Sequence, residues 1–342
     1  NIISYFFNDS ISEKLIRLKR EKYLWVFIAP FFMYLIGMLY SENQYFGWKD
    51  IETKLSLLIF PLIYSTTSFP LNKYRNTLSM VFVFSMSISS ALSIFYGVIM
   101  YQKIPTYSEL NLLLHPGYLS MYANMAIGLC YLLINSQMIK GYLKKLLTLA
   151  FLILSLTVIL SLSKTGIIVW IILIAGMFFH QALVLKKQYK KSIIAAVSAI
   201  GILIIAYQTI PKVQLRVNKA IHVLSKSENE KVDVTTTEST QVRILIWEQA
   251  IELIKENFLI GVGTGDIKDE LFVKYKSSGM QGALDNRLNV HNQYLQVFAT
   301  LGIIGFIVFT LAIILPLLKA IKSKNNPYLV FIVVFSMNCF FD

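Results

Sequence analysis

Apolar residues in this chain are gathered into runs of about 15 to 25, the length a helix needs to cross the roughly 30 Å hydrocarbon layer of a bilayer. Nine such runs can be marked: 24–40, 55–69, 77–101, 118–134, 146–162, 165–184, 192–210, 293–318 and 328–342. The second is short. Of the 342 residues, 56% are hydrophobic and only 15% charged, against about 25% charged in soluble domains. A single water-soluble core is excluded. The expected fold is all-α, a polytopic transmembrane helical bundle with one long extracytoplasmic loop containing short helices. Its organisation is read as N-terminal spans over 1–210, an outer loop over 211–292, and C-terminal spans over 293–342. The chain begins without Met, and Asp342 interrupts an apolar run, so both ends are expected to be truncations.

The net charge of +13 raises the question of a nucleic-acid partner, and its distribution answers it. Assigning loops alternately to two sides puts 1–23, 70–76, 135–145, 185–191 and 319–327 together. They hold 17 Lys and Arg against three acids. The short opposite loops, 41–54, 102–117 and 163–165, hold four of each sign. This is the positive-inside asymmetry, with the basic loops cytoplasmic. Segment 211–292 carries 11 basic and 11 acidic residues. The charge is therefore a topology signal, and no nucleic acid is needed to explain it. The two cysteines, Cys130 and Cys339, both lie in apolar runs, which excludes a disulfide framework outside and a cysteine metal cluster. The first apolar run lacks a small-residue cleavage site and reads as a retained span.

The long outer segment starts with the polar stretch 225–240. It continues as "QVRILIWEQAIELIKENF" (241–258), with apolar residues at 244, 247, 250, 251 and 254, a helical spacing. Arg243 and Trp247 sit four apart and share a face. "LIGVGTGD" (259–266) follows with three alternating glycines, where backbone can approach a ligand closely. A dinucleotide cradle is disfavoured because the strand–turn–helix context is absent. The segment ends at "VHNQYLQVFATLGIIGF" (290–306), in which His291 and Asn292 open an apolar run. Leu295, Phe298, Gly302, Gly305 and Phe309 then share one expected stripe, the glycines letting a second helix come close. Lys164, in an outer turn of two or three residues, opposes the charge rule and could be functional or an interfacial anchor. His115, His180 and His222 read as structural.

These residues bring out a family likeness. The chain resembles the O-antigen ligase and O-antigen polymerase superfamily of bacterial inner-membrane proteins over roughly residues 115–320. The family pattern His-[Asn/Ser/Gln]-x9-Gly-x-x-Gly is met by His291, Asn292, Gly302 and Gly305. The upstream Arg, Trp and Gly-x-Gly turn is met by Arg243, Trp247, Gly261 and Gly263. A family Ser-Arg-Gly-like turn reads Ser163-Lys164-Thr165-Gly166 here, keeping the charge and losing the guanidinium fork. The resemblance implies a metal-independent glycosyltransferase without cofactor in the inner membrane, its long loop periplasmic. The donor would be a glycan on undecaprenyl pyrophosphate, and the acceptor lipid A-core or another glycan. Arg243 and Lys164 would hold leaving-group charge. His291 would take or orient the acceptor proton, with Asn292, Trp247, Gly261, Gly263 and Tyr294 binding substrate. A ligase and a polymerase both fit. A polysaccharide transporter or flippase would need charged residues near the midplane of spans, and essentially none precede Asp342. A sensor or scaffold would not require Arg243 and His291 together.

Overall fold

The structure is a computed structural model that describes residues 10–21, 23–181, 233–237 and 239–341, with scattered positions between 201 and 218. The expected span 192–210, the lysines of 185–191, His222 and most of the polar stretch 225–240 lie outside the described residues.

The described chain is helical, with no strand among the described residues. In order the helices are α1 (Ile11–Arg20), α2 (Leu24–Met38), α3 (Gln44–Lys54), α4 (Ser56–Thr66), α5 (Leu71–Tyr101), α6 (Pro116–Ile134) and α7 (Gly141–Leu160). Then come α8 (Lys164–Phe179), α9 (Ser239–Glu256), α10 (Ile267–Ser277), α11 (Gln281–Asp285), α12 (Gln293–Lys322) and α13 (Asn326–Phe341). Among the described residues four helices, α5, α6, α7 and α12, are long and apolar enough to cross a membrane. With the O-antigen motifs, this makes the chain a polytopic helical membrane protein. Helices α8 and α13 are apolar but shorter, and α2 has 15 residues. The short run 55–69 yields only the 11-residue α4, with Pro61 inside it.

The chain packs as two compact units. One comprises residues 71–226 and 324–338 and is built from regular helices. Its core joins Val83, Leu119, Ala123, Ile127, Leu147, Leu154 and Trp170. Small residues let its helices approach closely: a methyl group at Gly128 would overlap a Val330 side-chain methyl. Some buried polar groups are paired inside this unit, Asn124 Nδ2 donating to the Gly166 carbonyl at 2.9 Å and Trp170 Nε1 to Ser155 Oγ at 3.2 Å.

The other unit comprises residues 1–70, 227–323 and 339–342. It gathers α1–α4, the outer segment and α12 around two cores. One core contains Val242, Ile246, Ala250, Leu253, Ile267, Leu271, Tyr275 and Val290. The other contains Phe31, Tyr34, Met38, Ile51, Val297 and Leu301. Helix α9 forms as its spacing predicts, with Trp247, Ala250 and Ile254 of the apolar set packed on the core. Val242, Ile246 and Leu253 also face the core, while Ile244 and Ile251 are exposed. Both stripes are apolar at helical spacing, so periodicity alone could not choose between them; packing against α10 and α12 does.

Candidate functional site

The histidine motif does not run straight into a span. Gly302 has φ 64° and ψ −167°, a region essentially closed to residues with a side chain, and it breaks α12 in two. The rings of Phe298 and Phe306 stack 4.9 Å apart, and those of Tyr294 and Phe309 lie 5.4 Å apart. A straight helix would separate these pairs by about 12 and 22 Å along its axis. The arm 293–301 therefore folds back along the start of the arm 303–322. The longer arm keeps the ~20 residues a crossing requires. The single stripe expected from Leu295 to Phe309 does not exist, because the break intervenes.

What holds the break open is the glycine turn. Ile303 N–H donates to the Phe258 carbonyl at 2.8 Å, and the carbonyls of Ala299 and Thr300 accept from Val262 and Gly263 N–H at 2.9 and 3.0 Å. The helical bonds lost at the break are thus replaced from segment 258–263, as buried backbone groups demand. The close approach needs glycine on both sides. A methyl group at Gly261 (φ 74°) would lie 2.5 Å from the Leu301 nitrogen, and one at Gly302 would lie 2.5 Å from the Ile260 nitrogen. The expected helix partner of Gly302 is in fact this turn, and Gly305 faces the Leu301 side chain of its own helix.

The same turn is anchored on its other side. Thr264 Oγ1 donates to the Tyr34 carbonyl at 2.7 Å, and Gly265 N–H to Ser41 Oγ at 3.0 Å. A methyl group at Gly263 would sit 2.6 Å from Ser41 Oγ. Buried Asp266 accepts from the backbone N–H groups of Glu42 and Asn43 at 2.9 and 2.7 Å. The motif "GVGTGD" thus joins the end of α2, the start of α3 and the break in α12. Asp266, Ser41 and Asn43 were missed in the sequence; only the aspartate directly after the glycines could have signalled them.

His291 sits at the free end of the short arm, half-buried, with φ 51°. A non-glycine residue pays of order 1–3 kcal/mol for that conformation. Local bonds impose it: Asn289 Oδ1 accepts from His291 N–H at 3.1 Å. Asn292 Oδ1 caps α12 through Tyr294 and Leu295 N–H at 3.0 and 3.1 Å, and the residue is buried. Trp247 Nε1 donates to the Val290 carbonyl at 2.9 Å, and its ring meets Phe340 edge-on at 6.2 Å. Trp247 is therefore a tether from α9 to the residue before the histidine. Arg243, half-buried on α9, lies one helical turn before that tether, about 6 Å along the axis. The phenol of Tyr275, in the outer segment, is pushed upward by burial and donates to the Leu288 carbonyl at 3.2 Å, bracing the same approach to His291.

Sequence reasoning also missed a charged pair near this arm. Gln293 Nε2 reaches Tyr34 Oη at 3.4 Å. Lys54 Nζ lies 4.3 Å from the Tyr34 ring centroid and 2.5 Å from Asp50 Oδ1. Burial pulls the Lys54 ammonium below its usual range, with Asp50 opposing. Lys54 and Asp50 belong to the loop 41–54 that the charge count assigns outside.

Lys164 belongs to the other packing unit. It is the first residue of α8, after Leu162 at φ 50° and the cap Ser163, whose hydroxyl accepts from Gly166 N–H at 3.1 Å. A cation is disfavoured at a helix N-terminus by the dipole. His115 caps α6 through Gly117 N–H, and His180 Nδ1 pairs with Tyr131 Oη at 2.9 Å. Among the described residues no three His, Cys, Asp or Glu side chains are grouped to hold a metal ion.

Residues 149–310 match the family model described as O-antigen ligase. The matched stretch contains the lysine turn, the α9 pair, the glycine turn and the histidine motif. Over that stretch the chain is similar to the O-antigen ligase family. That likeness suggests a ligase- or polymerase-type function in a bacterial membrane. A protein of Haemophilus influenzae, described only as uncharacterised, is 26% identical over 316 residues, covering 90% of this chain and 74% of the other.

Proposed function

We propose that this protein transfers a glycan from an undecaprenyl-pyrophosphate donor to a sugar hydroxyl, at the outer face of the inner membrane and without a metal. The observation that carries the reading is the presentation of His291. A strained histidine is fixed by bonds on both sides of it, on an arm folded back along a membrane helix. The fold-back brings the start of that arm level with Phe309, two turns along the crossing helix. A reactive group held there suits a substrate whose lipid tail lies in the bilayer and whose sugar faces water.

In this reaction the acceptor oxygen bonds to the anomeric carbon, and the bond from that carbon to the pyrophosphate breaks with its electron pair. His291 takes the hydroxyl proton or orients it, since imidazole titrates near neutral pH. Arg243 holds the departing phosphates through its planar fork of donors, and Lys164 is the second candidate cation. Fixed positive charge of this kind stabilises a leaving group where it forms. Tyr294 and Trp247 remain the aromatic candidates for sugar contact. Gly261, Gly263 and Asn292 serve through backbone geometry: the first two hold the break, and the third caps the arm.

Transfer to lipid A-core (a ligase) and transfer to another repeat unit (a polymerase) share this chemistry. The deciding experiment is to delete the gene and identify the lipid-linked glycan that accumulates outside the membrane. A long polymer means a ligase, and a single repeat unit means a polymerase. Accumulation confined to the cytoplasmic face would overturn both and favour a transporter.

A further inference from the structure

The unit of regular helices holds a pocket that takes no part in the transfer chemistry. It is lined by Arg75, Asn76, Ser79, Ser136, Lys324 and Asn326, with Leu129, Leu132 and Leu133 forming an apolar wall. The polar side chains come from three places: the start of α5 (Arg75, Asn76, Ser79), the turn after α6 (Ser136), and the start of α13 with the residues just before it (Lys324, Asn326). All three fall on the basic, cytoplasmic side by the charge count. The fold brings them together at one end of α5, α6 and α13.

Two features indicate a ligand. Arg75 and Lys324 have no carboxylate within ion-pairing distance among the described residues, so two cations face one cavity unneutralised. Ser136 Oγ is shut off from solvent and has no hydrogen-bond partner among the described residues, a condition that is costly unless something bonds to it. Asn76 Nδ2 has only the Met138 sulfur, a weak acceptor, at 3.3 Å. Lys324 adds a left-handed backbone, φ 52°. The missing partner must be anionic and rich in acceptors, and it must carry apolar mass to cover the leucines. A membrane phosphodiester has both.

We propose that this pocket binds the headgroup of an anionic phospholipid of the cytoplasmic leaflet. Arg75 and Lys324 grip the phosphate, Ser136 and Asn76 donate to its oxygens, and the acyl chain starts along Leu129, Leu132 and Leu133. Basic pockets between helices at the cytoplasmic surface recognise such headgroups. The inference rests on the topology assigned from charge, and not on the transfer reaction.

The test is native mass spectrometry of the full-length, delipidated protein with phosphatidylglycerol and, separately, phosphatidylcholine added back. The wild type should retain phosphatidylglycerol in preference. The R75A/K324A double variant should bind it about ten-fold or more weakly, since each basic residue at the surface contributes about 1 kcal/mol. Arg75→Lys with Lys324→Arg should restore binding, which a merely structural role for the pair would not require. Equal retention of phosphatidylglycerol by wild type and double variant would overturn the proposal. So would displacement of the lipid by millimolar inorganic phosphate, which would mark a site for the free anion.

Discussion

The two packing units differ in one use of glycine. In the unit containing α5–α8, glycine lies inside regular helices and lets them approach: Gly128 faces Val330 and Gly166 faces Ser120. The unit carrying His291 has such helical glycines too, Gly37 and Gly47, but it also places glycine where a helix stops. Gly261, Gly263 and Gly302 all have positive φ; Gly261 and Gly302 face backbone across the break, and Gly263 faces Ser41. Irregular backbone is costly beside lipid unless its polar groups are satisfied, and here the turn and the break satisfy each other. The difference teaches that this unit has given up regularity at the break, at the foot of the arm that begins beside His291.

That contrast can be broken by substitution. Gly302→Ala should cost about 3 kcal/mol or more, because both the dihedrals and the Leu259–Ile260 backbone forbid a side chain there. It should abolish transfer in cells and lower the thermal unfolding midpoint in detergent. Gly128→Ala should cost only about 1–3 kcal/mol, since the Val330 side chain can rotate away, and transfer should survive. Equal damage from the two would erase the distinction. Next in size is Lys164→Ala, expected to lower turnover by one to two decades, the worth of a charged hydrogen bond of about 1.5–3 kcal/mol. Lys164→Arg should retain most of the rate, and an alanine variant with normal turnover would make Lys164 an interfacial anchor. Trp247→Phe keeps the ring and loses the bond to Val290, so a loss of about 1 kcal/mol in stability is expected, with turnover falling more than accumulation. The smallest effect is expected from excess EDTA, which should leave the purified protein's turnover unchanged. A loss restored by Mg²⁺ would show that a metal neutralises the leaving group.

Much of this was legible in the residues. Runs of apolar residues announced a membrane bundle, and the spacing of His291, Asn292, Gly302 and Gly305 singled out the arm that the structure places under strain. The break itself was not legible. A glycine in an apolar run reads equally as a helix-packing position, as Gly128 is, and only the partner backbone decides. The role of Trp247 was hidden for a similar reason: an aromatic beside an arginine reads as a sugar platform, while its Nε1 is used 43 residues away at Val290. Asp266 was invisible because its partners Glu42 and Asn43 come from a distant stretch; Lys54 and Asp50 pair at i, i+4, and what was hidden is the Tyr34 ring beside Lys54. Charge counts average over such pairs and do not locate them.

The central claim is that the irregular unit exists to present His291 for glycan transfer. The direct measurement is single-turnover transfer by purified protein from a lipid-pyrophosphate-linked glycan, comparing wild type with His291→Ala. Removal of a general base typically costs about 10²–10⁴ in rate, and the account predicts a loss of that size with an unchanged unfolding midpoint. Transfer by the alanine variant within a few-fold of wild type would contradict it, and His291 would then be only the polar start of a helix.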